Sequence, residues 1–216
     1  MTSQVAAGVG FERFCALWIR TSAVKSSDRA REIYDLLVAL HNEHWRRYHA
    51  LRHITHCLTE LDRIECGVGA LDVVEMALWF HDAIYLPGSA DNEQRSAVLF
   101  RRQCSVFFEP TFVDTVCELI LITRHPAEPH DEAQRYIIDI DLSSFGLPWA
   151  EFLRDSQHVR EEQSALSDAE YYAGHRRFLN ALISRARIYH TAFFYSLYEQ
   201  TARENIARLL ALESAQ

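Results

Sequence analysis

The chain has 216 residues, 49% apolar and 24% charged, enough to close one hydrophobic core and at odds with bulk disorder. Seven glycines and five prolines are too few for a many-turned β sandwich and favour long helices. A formal charge of −8 disfavours a nucleic-acid-coating surface, no apolar run reaches the about 18 residues of a membrane span, and the start has no basic signal region, so a cytoplasmic protein is expected.

Residues 1–10 read as a flexible tail and 11–213 as one helical domain, giving an all-α fold. Phe11, Phe14, Leu17 and Trp18 have helical spacing. Ser26-Ser27-Asp28 predicts an N-cap for a helix bearing Ile33, Leu36, Leu37 and Leu40. After a polar stretch, a helix around 50–65 carries Ile54, Leu58, Leu61 and Ile64 and ends at Gly67 and Gly69. Asp72-x-x-Glu75 fits a capping box, and that helix ends in Ala77-Leu78-Trp79-Phe80, apolar all round and therefore central. A helix from Asn92 to Phe108 precedes one opened by Pro110 and running to about Arg124. Asp131-x-x-Gln134 caps a short helix through Ile137 and Ile138. Gly146 and Pro148 break the chain, and the next element expected is a helix opened by the Ser167-x-x-Glu170 capping box and running to about Arg187. A last helix covers roughly 190–213.

Chemistry is sought first among the eleven histidines. Of two His-Asp dipeptides, His130-Asp131 lies in a proline-flanked polar loop and reads as a solvated cap. His81-Asp82 ends the buried helix, so it is either a satisfied core histidine with a capping aspartate or a metal site. His49 and His53 are four apart and share a face if helical, with His56 one turn beyond; surface histidines near a helix start are the alternative. Asp139 and Asp141 interrupt an apolar stretch, which calls for a cation or several donors, or for helix-end turn chemistry. His41, His44, His56, His158, His175 and His190 read as structural or solvated. The cysteines Cys15, Cys57, Cys66, Cys104 and Cys117 form no CxxC and read as reduced, mostly buried thiols.

Taken together, His53, His81-Asp82 and Asp141 follow a H…HD…D order. The sequence resembles the HD-domain metal-dependent phosphohydrolase superfamily. More narrowly, it resembles a bacterial group of uncharacterised predicted HD phosphohydrolases with the patterns R-x-Y-H-N-x-x-H-I, A-x-W-F-H-D-x-x-Y, N-E-x-x-S-A, T-x-H and D-x-D-L-S-x-x-G. These correspond to stretches starting at Arg46, Ala77, Asn92, Thr123 and Asp139, and the likeness spans about 11–213. Ala50 replaces the usual asparagine, and Gly174-His175-Arg176 departs from a Gly-Arg pair at a point expected to lie far from the metal.

The resemblance implies an HD-domain helical bundle in which His53, His81, Asp82 and Asp141 hold one Mn, Fe, Zn, Ni or Co ion, with Asp82 able to bridge a second. It implies a metal-activated water attacking a phosphate ester or nucleotide. Cyclic-nucleotide phosphodiesterases, similar at motif level only, imply that His49 is the proton donor; His49 and Asp82 are the catalytic candidates. Arg46 and His125 are expected to hold phosphate, Glu93 to support the ligands, and Asp139 either to support them or to be structural. For Arg46, His125 and Glu93 the plain alternatives are a surface arginine, a helix C-terminal histidine and a first-turn glutamate. The expected partner is a small phosphorylated compound such as a nucleotide, not a membrane or extended nucleic acid. The aromatic run 190–195 reads as core or as a homodimer contact. The alternative function is a non-catalytic metal- and nucleotide-binding module.

Overall fold

The computed structural model describes residues 10–65, 71–124 and 128–214, and every regular element among them is helical. The all-α expectation holds. The chain runs α1 (Phe11–Thr21), α2 (Ser27–His41), α3 (Leu51–Leu61), α4 (Asp72–Phe80), α5 (Asn92–Cys104) and α6 (Pro110–Ile122). Then follow α7 (Glu132–Asp141), a 3-10 turn (Leu142–Gly146), α8 (Trp149–Glu162), α9 (Asp168–Ile183) and α10 (Ala192–Glu213).

Local chemistry accounts for half of the α-helix starts among the described residues. Ser26 accepts from the Arg29 N–H, Asp131 from Gln134 and Thr191 from Phe194. Ser167 and Glu170 close a full capping box on α9. Pro110 occupies the first turn of α6, where its missing N–H costs nothing. The centre is α4, buried continuously from Val74 to Phe80. It packs against α1, α3, α6 and α7, while α10 lies across the 3-10 turn and α9. Phe14, Trp18, Trp79 and Phe100 are fully buried around this centre.

Three elements differ from the sequence expectation. Asp72-x-x-Glu75 makes no capping box, because the Glu75 carboxylate instead accepts from Arg13 Nε (2.8 Å) and Arg20 Nη2 (2.7 Å). Two charge-assisted bonds that tie α4 to α1 outcompete a single helix-end amide. α5 stops at Cys104 rather than Phe108: Phe108 turns onto Trp18, ring to ring at 4.8 Å, and the Phe107 carbonyl accepts from the Ala23 N–H. α8 has no counterpart in the expected elements. Its buried positions are Phe152, Asp155 and Glu162, so carboxylates sit where apolar residues would have marked a helix face. The expected helix end at Gly67 and Gly69, like most of the N-terminal tail and Cys66, falls outside the described residues.

Gly146 closes the 3-10 turn against α10, and a Cβ there would collide with the Tyr198 side chain. Gly146→Ala should destabilise the protein by about 1–3 kcal/mol through overpacking. The check is a drop in the urea midpoint at unchanged slope.

Candidate metal centre

Three helix ends converge on one point. His53 sits in the first turn of α3, His81 caps the C-terminus of α4 with Asp82 following, and Asp141 is the last residue of α7. His53 Nε2 lies 3.3 Å from His81 Nε2, 3.1 Å from Asp141 Oδ1 and 3.7 Å from Asp82 Oδ2. His81 Nε2 is 3.1 Å from Asp82 Oδ2 and 3.5 Å from Asp141 Oδ1. Donor atoms about 2.1 Å from a common ion, at angles near 90–110°, would lie about 3.0–3.4 Å apart. Most of the observed separations fall in or close to that range. The His81 Nδ1–H donates to the Leu78 carbonyl at 3.0 Å, which leaves Nε2 as the ligating nitrogen. Two overlapping groups could hold a metal ion: His53, His81 and Asp82, and His53, Cys57 and Asp141. Cys57 was expected only as a buried thiol.

The electrostatics point the same way. Burial alone would pull the His81 imidazole down, yet Asp82 and Asp141 hold it well above its usual value. Asp82 stays below the usual carboxylate range despite burial, because His81, His49 and His53 face it. The two carboxylates therefore favour a proton on the His81 imidazole. A divalent cation supplies positive charge in the same way.

His49 is not on a helix face with His53, since α3 begins at Leu51 with Ala50 as its N-cap. Instead the turn at 47–49 wraps a carboxylate from α8. Glu162 Oε1 accepts from the N–H groups of Arg47 (2.6 Å), Tyr48 (2.7 Å) and His49 (3.0 Å). Glu162 Oε2 takes the His49 Nδ1–H at 2.6 Å, and the ring stacks on Tyr85 with centroids 3.8 Å apart. With Nδ1 committed, Nε2 is the nitrogen left for a ligand. Burial opposes charge on His49, but Asp82 and Glu162 outweigh it and raise its pKa. Glu162 is lowered in turn, against its own burial, by His49 and the turn amides. Glu162 carried no signal in the sequence: it follows another glutamate, 113 residues from His49.

His49, Asp82 and Asp141 line a cavity of about 250 Å³ that Glu93 also lines. Burial, Asp82 and Asp141 push the Glu93 carboxyl up, and Arg124 Nε stands 3.8 Å away. Other expected roles are corrected. Arg46 does not face this cavity: it is 5% exposed, with its N–H groups donated to Glu43 and to the carbonyls of His49, Asp82 and Ala83. A guanidinium so committed holds the site's backbone, not a phosphate. Asp139 is no partner of the ligands either. It accepts from the His190 N–H, Thr191 N–H and Thr191 Oγ1–H, fixing the start of α10, and burial pushes it up to about 6 against those donors. His125 lies outside the described residues.

Of the remaining histidines, His41 and His56 are held inside the fold. Burial and the Arg46 charge push His41 down to about 3, and burial together with His53 pushes His56 down to about 4. His56 Nε2–H donates to Ser143 Oγ at 2.8 Å, because that hydroxyl donates to the Ile140 carbonyl. His175, expected far from the metal, lines the same cavity as Asp82 and Asp141. No family model, curated protein or solved structure matches the chain.

The His49–Glu162 pair sets a pH window. A raised His49 pKa contributes stability that is fully present below the ordinary value of 6.5 and is lost as pH rises through the native one. A lowered Glu162 pKa contributes stability that is present above 4.5 and is lost as pH falls through its native value. In metal-free protein, Glu162→Gln should lower the His49 titration midpoint seen by NMR and flatten both flanks of the stability profile.

Proposed function

We propose that the protein is an HD-type metal-dependent phosphohydrolase acting on a small phosphate ester or nucleotide. The observation that carries this reading is the convergence of His53, His81, Asp82 and Asp141 on one point, with His49 lining the same cavity as the two aspartates. Two imidazoles and two carboxylates suit Mn²⁺, Fe²⁺, Zn²⁺, Ni²⁺ or Co²⁺ better than Ca²⁺, and Cys57 beside His53 adds a soft donor. A divalent ion bound there supplies Lewis acidity, polarising a phosphoryl oxygen and acidifying water.

The chain's own residues do the rest. Asp82 and Asp141 both line the cavity and would be the ligands placed to share a second ion. His49, held by Glu162, presents an imidazolium N–H to the leaving oxygen. As the ester P–O bond breaks and the water oxygen bonds to phosphorus, the His49 proton ends on the alcohol. The proton lost by water restores the imidazolium. Tyr85, stacked on the ring, keeps His49 from turning away. Glu93 is available to accept a hydrogen bond from water in the cavity. Arg46 bonds the carbonyls of both His49 and Asp82 and so fixes the donor relative to the ligands. Among the described residues no helix is long and apolar enough to cross a membrane, in keeping with a small dissolved substrate.

Ala50, which gives α3 no side-chain cap, favours the rival reading of a metal- and nucleotide-binding module without turnover. Turnover of a phosphate-ester panel with Mn²⁺, abolished by chelation, separates the two. Asp82→Ala should lose bound metal by elemental analysis while keeping its helical circular dichroism; full retention of metal would sink the ligand assignment. His49→Gln should lower kcat on an alkyl phosphate by about 10²–10⁴ and on a nitrophenyl phosphate far less, because the latter's leaving group needs little protonation.

A further inference from the structure

The lining of the cavity beside the donor cluster brings together two unlike groups. Asp82 faces His49, and Asp82 and Asp141 face Glu93. Phe145 meets the rings of Phe152 (5.5 Å between centroids) and Phe178 (6.2 Å), and Val159, Asp155 and His175 also line the cavity. Its carboxylates are Asp82, Glu93, Asp141 and Asp155, and no arginine or lysine lines it among the described residues. Arg52 and Arg124, its neighbours, are drawn to Asp155 (2.7 Å) and Glu93 (3.8 Å).

His175 is held much as His49 is. Its Nδ1–H donates to Glu213 Oε1 at 2.6 Å, and its ring stacks on Tyr171 with centroids 5.2 Å apart. Glu213 is buried, and its second oxygen has no other partner. The ring is therefore fixed, and Nε2 is the nitrogen left for a ligand. Several hydroxyls of the lining are already engaged: Thr123 donates to the Ile120 carbonyl, and Ser144 bonds Tyr48.

Resting on the phosphohydrolase reading, we propose that this cavity takes a monophosphate ester of a flat aromatic body. The single phosphate meets the donor cluster and His49, the ring system lies against Phe145, Phe152, Val159 and Phe178, and His175 hydrogen-bonds a polar atom on its far edge. A second or third phosphate would meet the carboxylates Glu93 and Asp155, with no arginine or lysine in the lining among the described residues to offset them. A polyhydroxylated sugar would leave its hydroxyls against apolar walls, with few free partners. Aromatic walls instead reward a planar apolar body. Two sources share this chemistry, nucleoside monophosphates and simple aryl phosphates, and His175 distinguishes them.

The test compares Mn²⁺-loaded protein on 1-naphthyl phosphate, adenosine 5′-monophosphate, adenosine 5′-triphosphate and glucose 6-phosphate. One of the two aromatic monophosphates should exceed both other compounds in kcat/KM by about tenfold or more. Phe178→Ala, at the exposed rim, should raise KM for that ester several-fold while inhibition by orthophosphate stays unchanged. His175→Asn keeps a donor for Glu213 but withdraws the far nitrogen. It should raise KM for the nucleotide and leave 1-naphthyl phosphate unaffected. Equal use of the triphosphate or the sugar phosphate, or no response to Phe178→Ala, would overturn the proposal. If no ester is hydrolysed, calorimetric competition on the same Mn²⁺-loaded protein decides. Preference for the aromatic monophosphates then upholds the ligand class while the hydrolase reading fails, and equal binding of the triphosphate overturns the ligand class as well.

Discussion

The imidazoles of His53 and His81 lie 3.1–3.7 Å from each other and from the carboxylates of Asp82 and Asp141, where α3 begins and α4 and α7 end. Such a group is costly to remove from water unless its charges balance, and neutral histidines beside two carboxylates do not balance them. That requirement organises the middle of the molecule. α4 is apolar on every side and so is driven to the centre, and its C-terminus delivers His81 and Asp82 there. Arg46 then locks the turn that follows, with one buried guanidinium bonding the carbonyls of Asp82, Ala83 and His49. A surface arginine could not do this: it is the fixed fork of donors, shielded from water, that joins two separate loops into one rigid rim.

Around this rim the chain uses one device twice. A glutamate from a distant helix fixes the Nδ1 of a histidine, an aromatic ring stacks on the imidazole, and Nε2 is left for a ligand. Glu162 and Tyr85 do this for His49, Glu213 and Tyr171 for His175. Fixing one nitrogen decides the tautomer and the ring direction at once, which is what distinguishes a positioned histidine from a solvated one. The two pairs differ in setting: Asp82 faces the His49 ring, while the His175 ring stacks on Tyr171.

Much of this was legible in the residues. Helix starts were read from Ser26, Pro110, Asp131 and Ser167 because a cap is a local contact, spanning three residues or fewer. The central place of α4 followed from its unbroken apolar run. His81, Asp82 and Asp141 stood out because ionisable groups inside apolar stretches demand an explanation, and His53 joined them through the motif resemblance. Where local and distant demands competed, the reading failed. Glu75 had the spacing of a cap but is claimed by Arg13 and Arg20 of α1, and Arg46 had the chemistry of a phosphate ligand but is spent on three carbonyls and Glu43. α8 stayed hidden because its inward face carries Asp155 and Glu162, whose burial makes sense only beside Arg52 and the turn at 47–49.

The sequence by itself determined an all-helical chain and several of its capping points, which rest on residue type and on spacing within a few turns. The set His53, His81, Asp82 and Asp141 came from a resemblance in motif order, not from spacing. Only the tertiary structure decided that His49 leaves the helix and bonds Glu162, that Asp139 turns away to anchor α10, and that His175 enters the cavity of Asp82 and Asp141. Those outcomes depend on which partner is nearest in space across 38 to 113 residues of chain, and periodicity along a sequence carries no record of that distance.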